Sequence, residues 1–404
     1  MTTVRASRRR LAVARERRRA ARTEVCVLGS GKAFLSGITY HSYGLATALS
    51  EHRPTSVILL RNLVPRQLYP GAERVGADLS HLRLPPVVRR AERVDWWWGP
   101  GMVEAAWMLI RRPPAVLVVQ WWSAAVWHTQ LALVLIAKAM GTRVVLEIHE
   151  TIDTAEQRHR AAGLWRATLA PALVRSADHV IVHSVADQRL VAQELGVPAR
   201  RTTIITEPPF DHYHLDEPSV SAPEGTVRLL FFGTIRPYKG LEDLIDAFEL
   251  LCEQRPEIDW QLTVVGETWE GWNVPAAKIR RSSHRDRITF VNRYVTDEEV
   301  DRAFLEADLV VLPYHRSSTS GPLQVAMSYG LPVVVTAVGG LPEAVDGYSG
   351  AVLVEPASTD DLVSGIEKAE RLVGQHHLAS RTWADVADEH EQLLLGTLGV
   401  GATR

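Results

Sequence analysis

The stretch "VRLLFFGTIRPYKGLEDLIDAF", residues 227–248, decides how this chain is read. Its first part is a short apolar run that stops on Gly233, as a strand buried on both faces of a parallel sheet does. Its last part sets Leu241, Leu244, Ile245 and Phe248 on one face of a helix. Arg236 and Lys239 lie between the two. In open parallel sheets, such strand-to-helix loops face the ligand crevice, where the helix dipole favours an anion. A guanidinium forks onto phosphate oxygens, an ammonium adds a point charge, and a glycine leaves room for the ligand to approach. Most loop cations are merely solvated, so this reading depends on its surroundings.

The same unit recurs on both sides. Upstream, "EVCVLG", "TSVILL", "AVLVVQ", "RVVLEIH" and "DHVIVHS" are apolar runs of strand length, most of them followed by helical patterns. Residues 207–225, "EPPFDHYHLDEPSVSAPEG", break the rhythm with proline, serine and acid, as a linker does. It resumes with "WQLTVVGE", "RITFVN", "DLVVLPY", "PVVVTA" and "GAVLVEP". A chain of 404 residues also exceeds one ordinary core. The expected architecture is α/β, with two doubly wound, Rossmann-like domains, residues 24–206 and 226–377, facing a cleft. Residues 378–404 carry a helical pattern with no strand after it, expected to pack back on the first domain.

Residues 1–23 hold nine arginines and one acid, and without them the net charge of -2 becomes about -10. This basic tail is expected to be disordered and to touch anionic membrane reversibly, while the acidic body argues against nucleic acid. No apolar signal core follows the tail, and no run of about 18 apolar residues occurs. Cys26 and Cys252, the only cysteines, sit in apolar segments typical of buried thiols. A cytoplasmic location is expected, peripheral to the inner face of the membrane where the tail makes contact.

A second anion-ready helix start is "STSGPLQVAMSYG", residues 318–330. Ser320 suits the N-cap, Pro322 the first turn and Gly321 a close approach, which leaves the N–H groups of Gly321 and Leu323 for phosphate. The glycine-rich "GSGKAFLSGIT", residues 29–39, is neither a P-loop nor a dinucleotide fingerprint. Together the three loops point to a diphosphate held between domains.

At this point the residues acquire a family. "FFGTIRPYKGLEDLIDAF", "DLVVLPYHRSSTSGPLQVAMSYGLPVVVTAVGGLPEAV" and "SGAVLVEP" resemble the donor domain of the retaining glycosyltransferases of family 4, which have the GT-B fold. "LSGITYHSYGLATAL" and "EIHET" are similar to the glycine-rich loop and the His-Glu strand end of the acceptor domain. The resemblance implies transfer of a hexose-type sugar, with retention, from a nucleoside-diphosphate sugar to a hydroxyl acceptor that is a glycan, a lipid-linked molecule or a small molecule. It implies no cofactor and no obligatory metal. It gives Arg236 and Lys239 the donor diphosphate and the charge of the leaving group, Gly37 a backbone contact to the same phosphates, and His149 a place beside the reacting sugar. Gly233, Thr319, Ser320, Gly321 and Leu323 would line the donor site.

One departure matters. Most members carry two glutamates eight residues apart, and here those places fall at Ser317 or Ser318 and at Val325. The arginine also stands three residues after Gly233 where many members have it at once. The chain is similar to a subgroup that lacks the pair, with Glu150 and Glu267 as substitute carboxylates. Seven tryptophans between positions 96 and 127 lie in the domain expected to bind acceptor; of these Trp121 and Trp122, with Glu150, are the candidate acceptor contacts. Asp211, His212, His214 and Asp216 have a spacing that suits metal but no supporting sheet. The competing readings are a GT-B nucleotide-sugar epimerase or phosphorylase, and a non-catalytic nucleotide-sugar-binding protein.

Overall fold

The computed structural model describes residues 24–65, 75–77, 79–150, 160–214, 223–269 and 271–397. The basic segment 1–23 and Asp216 lie outside these residues. The first sheet contains β1 (Val25–Ser30), β2 (Thr55–Asn62), β3 (Arg89–Asp95), β4 (Val116–Trp121), β5 (Arg143–Ile148), β6 (His179–Val182) and β7 (Thr202–Ile204). The second contains β8 (Thr226–Phe232), β9 (Asp259–Val265), β10 (Ile288–Val291), β11 (Leu309–Leu312), β12 (Val333–Thr336) and β13 (Ala351–Val354). Their orders are β3-β2-β1-β4-β5-β6-β7 and β10-β9-β8-β11-β12-β13, and every pairing is parallel.

The helices of the first half are α1 (Gly37–His52), α2 (Pro100–Arg111), α3 (Trp127–Ala139), α4 (Arg160–Ser176) and α5 (Val185–Leu195). Those of the second half are α6 (Leu241–Gln254), α7 (Val274–Arg281), α8 (Asp297–Glu306), α9 (Gly321–Ser328), α10 (Leu341–Ala344), α11 (Thr359–Glu370) and α12 (Trp383–Thr397). Central strands such as β1 and β4 are buried at every position, because helices cover both faces of a parallel sheet. The polar edge strand β3, "RRAERVD", gave no apolar run to read.

Helix α12 belongs spatially to the first domain. It packs on α1, where the Trp383 ring lies so close to Gly44 that a Cβ there would stand 2.4 Å from it. The start of the interdomain segment is built into the body as well. Glu207, Phe210 and Tyr213 are buried, Phe210 stacks on Trp383, and His212 stacks on Tyr40. The two domains also touch directly. Asp297 at the start of α8 accepts from Tyr40 Oη at 3.1 Å and from the His81 N–H at 2.8 Å. On another face, Glu343 accepts from the Val185 N–H at the start of α5 at 2.7 Å.

Candidate functional site

Three loops at the carboxyl ends of β8, β9 and β11 are laced together by their backbones. The Ile235 N–H donates to Glu267 O at 2.9 Å, Trp269 N–H to Ile235 O at 3.0 Å, and His315 N–H to Tyr238 O at 2.8 Å. Gly240 takes φ +62° and lies against the third loop, where a Cβ would fall 2.0 Å from Pro313 O. Gly233, at φ +122°, sits beside Pro322 of α9. Both positions therefore require glycine.

This lacing gathers three cations. Arg236 is 5 % exposed, and its guanidinium lies 5.2 Å from the Trp269 ring centre and 5.4 Å from that of Tyr238. The Lys239 ammonium lies 3.6 Å from the Tyr314 ring centre, and Arg316 lies 4.3 Å from Tyr238. Burial lowers Lys239 to about 7; across the cleft Glu150 opposes this, while Arg236 and Arg316 add to it. So concentrated a positive site suits a polyanionic ligand. Glu267 accepts from Trp269 Nε1–H at 2.8 Å, which holds the ring beside Arg236.

Ser320 caps α9, but its hydroxyl accepts from the Leu323 N–H at 3.3 Å. The cap therefore takes Leu323 from the set of free donors, and the Gly321 N–H has no partner among the described residues. Thr319 is tied into the loop by its carbonyl, which accepts from Ser317 Oγ at 2.8 Å. Ser318 Oγ donates to Asp187 Oδ1 of the first domain at 2.5 Å. A carboxylate from the opposite domain thus stands beside the place where the glutamate is missing. Gly37 opens α1 at the end of the β1 loop, exposed and with nothing within 4 Å of a Cβ.

His149 follows β5 directly, just before Glu150. The ring is 4 % exposed and both nitrogens are engaged, Nδ1 with Glu207 Oε1 at 3.1 Å and Nε2 with Gln120 Oε1 at 2.5 Å. Both partners are acceptor oxygens, and the neutral ring, with its single N–H, donates to only one of them at a time. It belongs to a buried cluster beneath the crevice. There His41 lies between Glu147 at 3.0 Å and Glu207 at 3.4 Å, Gln120 donates to Glu147 at 2.6 Å, and His390 of α12 lies 3.5 Å from Glu147. Burial lowers His41, yet the two carboxylates outweigh it and raise the group to about 10. Burial and the neighbouring His41 and His183 hold His149 down at about 4, against Glu207.

Two trios, His41, Glu147, His149 and His149, His183, Glu207, bring ligand atoms within 4.8 Å of one another. Protonated His41 between Glu147 and Glu207 offsets part of their charge. Trp121 is fully buried, tilted on Trp127 at 4.4 Å, and offers no face to an acceptor, whereas Trp122 is partly exposed. His212, half-buried and lowered to about 3 mainly by desolvation, packs among aromatic rings, while His214 turns to Ser328. Arg316 and Asp187 were missed in the sequence, the first an ordinary loop cation and the second brought in from another domain.

These features define a class before they define a family: two Rossmann-like domains with a cationic crevice between them. A solved trehalose-phosphate synthase from Burkholderia xenovorans has this GT-B fold, with a TM-score of 0.63, 14 % identity and coverage of 93 % of this chain and 100 % of its own. Sucrose-phosphate synthase from Thermosynechococcus elongatus matches at 0.57 with 17 % identity, over 94 % and 96 %. Residues 36–206 match the glycosyl transferase 4-like domain, and residues 226–370 match the glycosyl transferases group 1 domain. With one such domain in each half, the chain belongs to the family 4 glycosyltransferases.

Among curated relatives, a D-inositol 3-phosphate glycosyltransferase from Pseudarthrobacter chlorophenolicus is 34 % identical over 35 % of this chain and 34 % of its own. A mannosylfructose-phosphate synthase from Agrobacterium fabrum is 32 % identical, over 43 % and 41 %. A GDP-mannose:glycolipid 4-beta-D-mannosyltransferase from Xanthomonas campestris is 30 % identical, over 49 % and 58 %. The chain spans less than two thirds of the length of each of these relatives.

Proposed function

We propose that the protein transfers a hexose-type sugar from a nucleoside-diphosphate sugar to a hydroxyl acceptor, with retention of configuration and without a metal ion. The observation that carries this reading is the convergence of Arg236, Lys239 and Arg316 on one crevice, with Glu150 reaching Lys239 from the other domain. Arg236 and Lys239 hold the diphosphate and neutralise the charge that grows on it as the glycosidic bond breaks. The aromatic rings behind them fix the cations in place, so little reorganisation accompanies the reaction. The departing phosphate oxygen takes the proton of the incoming hydroxyl on the same face of the sugar.

Glu150 is a crevice carboxylate contributed by the first domain, and His149 serves it from below as a positioning residue, anchoring the end of β5 to Glu207 and Gln120. The relatives' names include a phosphorylated inositol and a glycolipid, consistent with a hydroxyl acceptor. A panel of nucleoside diphosphates and their sugars, read by thermal shift, is the first test. A ligand at a hundred times its dissociation constant adds about 2.7 kcal/mol to stability. Donor turnover with candidate acceptors, with the anomer read by NMR, is the second. An inverted product would refute retention, and binding without turnover across acceptors would leave a nucleotide-sugar-binding protein.

A further inference from the structure

Helix α2 is apolar on two opposite faces. Met102, Ala105 and Leu109 enter the core, while Val103, Trp107 and Ile110, spaced one and two turns apart, point the other way and are 69 %, 55 % and 45 % exposed. A soluble helix ordinarily turns a polar face outward. In contact with it, α3 exposes Leu135 and is followed by exposed Met140, so adjacent helices both present apolar side chains outward. Scattered exposed apolar residues need no cause, but a contiguous set on adjacent helices marks an interaction surface.

We propose that this surface of α2 and α3 seats the protein on an anionic lipid bilayer. Tryptophan is the side chain best suited to the boundary between headgroups and acyl chains, and Arg111 stacks its guanidinium over Trp107 at 4.2 Å, which places a cation at headgroup level beside the inserted ring. The foot of α2 is also where the arginine-rich segment joins the fold. Glu24, the first residue after it, is held by Arg112 at 2.9 Å, directly past the end of α2, and by Arg89. An apolar wedge and a polybasic segment are the two signals that together give stable but reversible attachment, where either alone is marginal. The same charge disfavours a second copy as occupant: pairing through this face would bring two segments of nine arginines together.

The test needs neither donor nor acceptor, so it stands or falls separately from the transfer reaction. The full chain is sedimented with phosphatidylglycerol-containing vesicles and with pure phosphatidylcholine vesicles, at low and high salt. We expect pelleting with the anionic vesicles that salt weakens, and at least about a tenfold loss in a Trp107→Ser/Ile110→Ser variant whose melting temperature is unchanged. Lipids brominated near the headgroup should quench a fluorescence component that Trp107→Phe removes. Equal pelleting of the variant and the parent would overturn the proposal, by leaving the arginine segment as the sole contact. So would a lipid-free dimer that the double variant splits into monomers with no change in vesicle binding.

Discussion

Lys239 carries the clearest dependence on pH. Its amine titrates near 7 in the free protein, so above neutrality it presents no charge until the donor diphosphate restores it. Donor binding is therefore expected to take up a proton, with affinity level below about pH 7 and falling by up to tenfold per unit above it. A nucleoside-diphosphate sugar has no ionisation of its own near neutrality, so calorimetry in buffers of different ionisation heat reads the uptake directly; none would contradict the assignment. Arg236→Ala and Lys239→Ala should each lower turnover about a hundredfold with the fold intact, since charge on the leaving group goes unmatched. Near-normal rates in both would place the donor elsewhere. Arg236 and Lys239 were legible because they directly follow a strand end. Arg316 follows the end of β11 as closely but read as an ordinary loop cation, and Asp187 reaches the crevice only when folding brings the first domain against it.

At the scale of elements, the buried cluster ties β5, α1 and α12 together. Breaking a buried pair by Glu147→Gln should cost about 3–5 kcal/mol in chemical denaturation, because it strips His41 of its partner. His41 is raised in the folded state, so its contribution is complete below its unfolded value near 6.5 and is lost as pH rises toward about 10. Glu147 and Glu207 are lowered by their histidines in spite of burial, so their contribution is lost as pH falls below the ordinary carboxylate range. A stability profile that is flat from neutrality to high pH would count against protonated His41. The central strands were legible because full burial leaves continuous apolar runs. Strand β3 was hidden by its edge position, and the cluster by its composition, since isolated histidines and glutamates carry no period.

For the molecule as a whole, the two domains meet around the crevice through Asp297, Glu343 and the bond from Ser318 to Asp187. Ser318→Ala/Asp187→Asn should weaken donor binding more than it lowers the melting temperature, because the bond sits where both domains bound the site. Equal melting and equal affinity in parent and variant would deny that bond a role. Turnover is expected to survive a chelator; activity abolished by it and restored by a divalent ion would show that an ion is required. Trp121 shows where whole-molecule reasoning from sequence fails: an aromatic at a strand end reads equally as a sugar platform or as core, and only the packing of Trp127 against it decides.

The return of α12 to the first domain also orders events on the ribosome. Ile204, the end of the last strand of that domain, is made well before His390, which completes the cluster around Glu147. At usual elongation rates the interval is about 10–40 s. Throughout it, the surface of α1 that Trp383 will cover is open to solvent and to chaperones. A chain stopped just before Trp383 should therefore be made in full yield and recovered largely as aggregate, although every strand of both sheets is present.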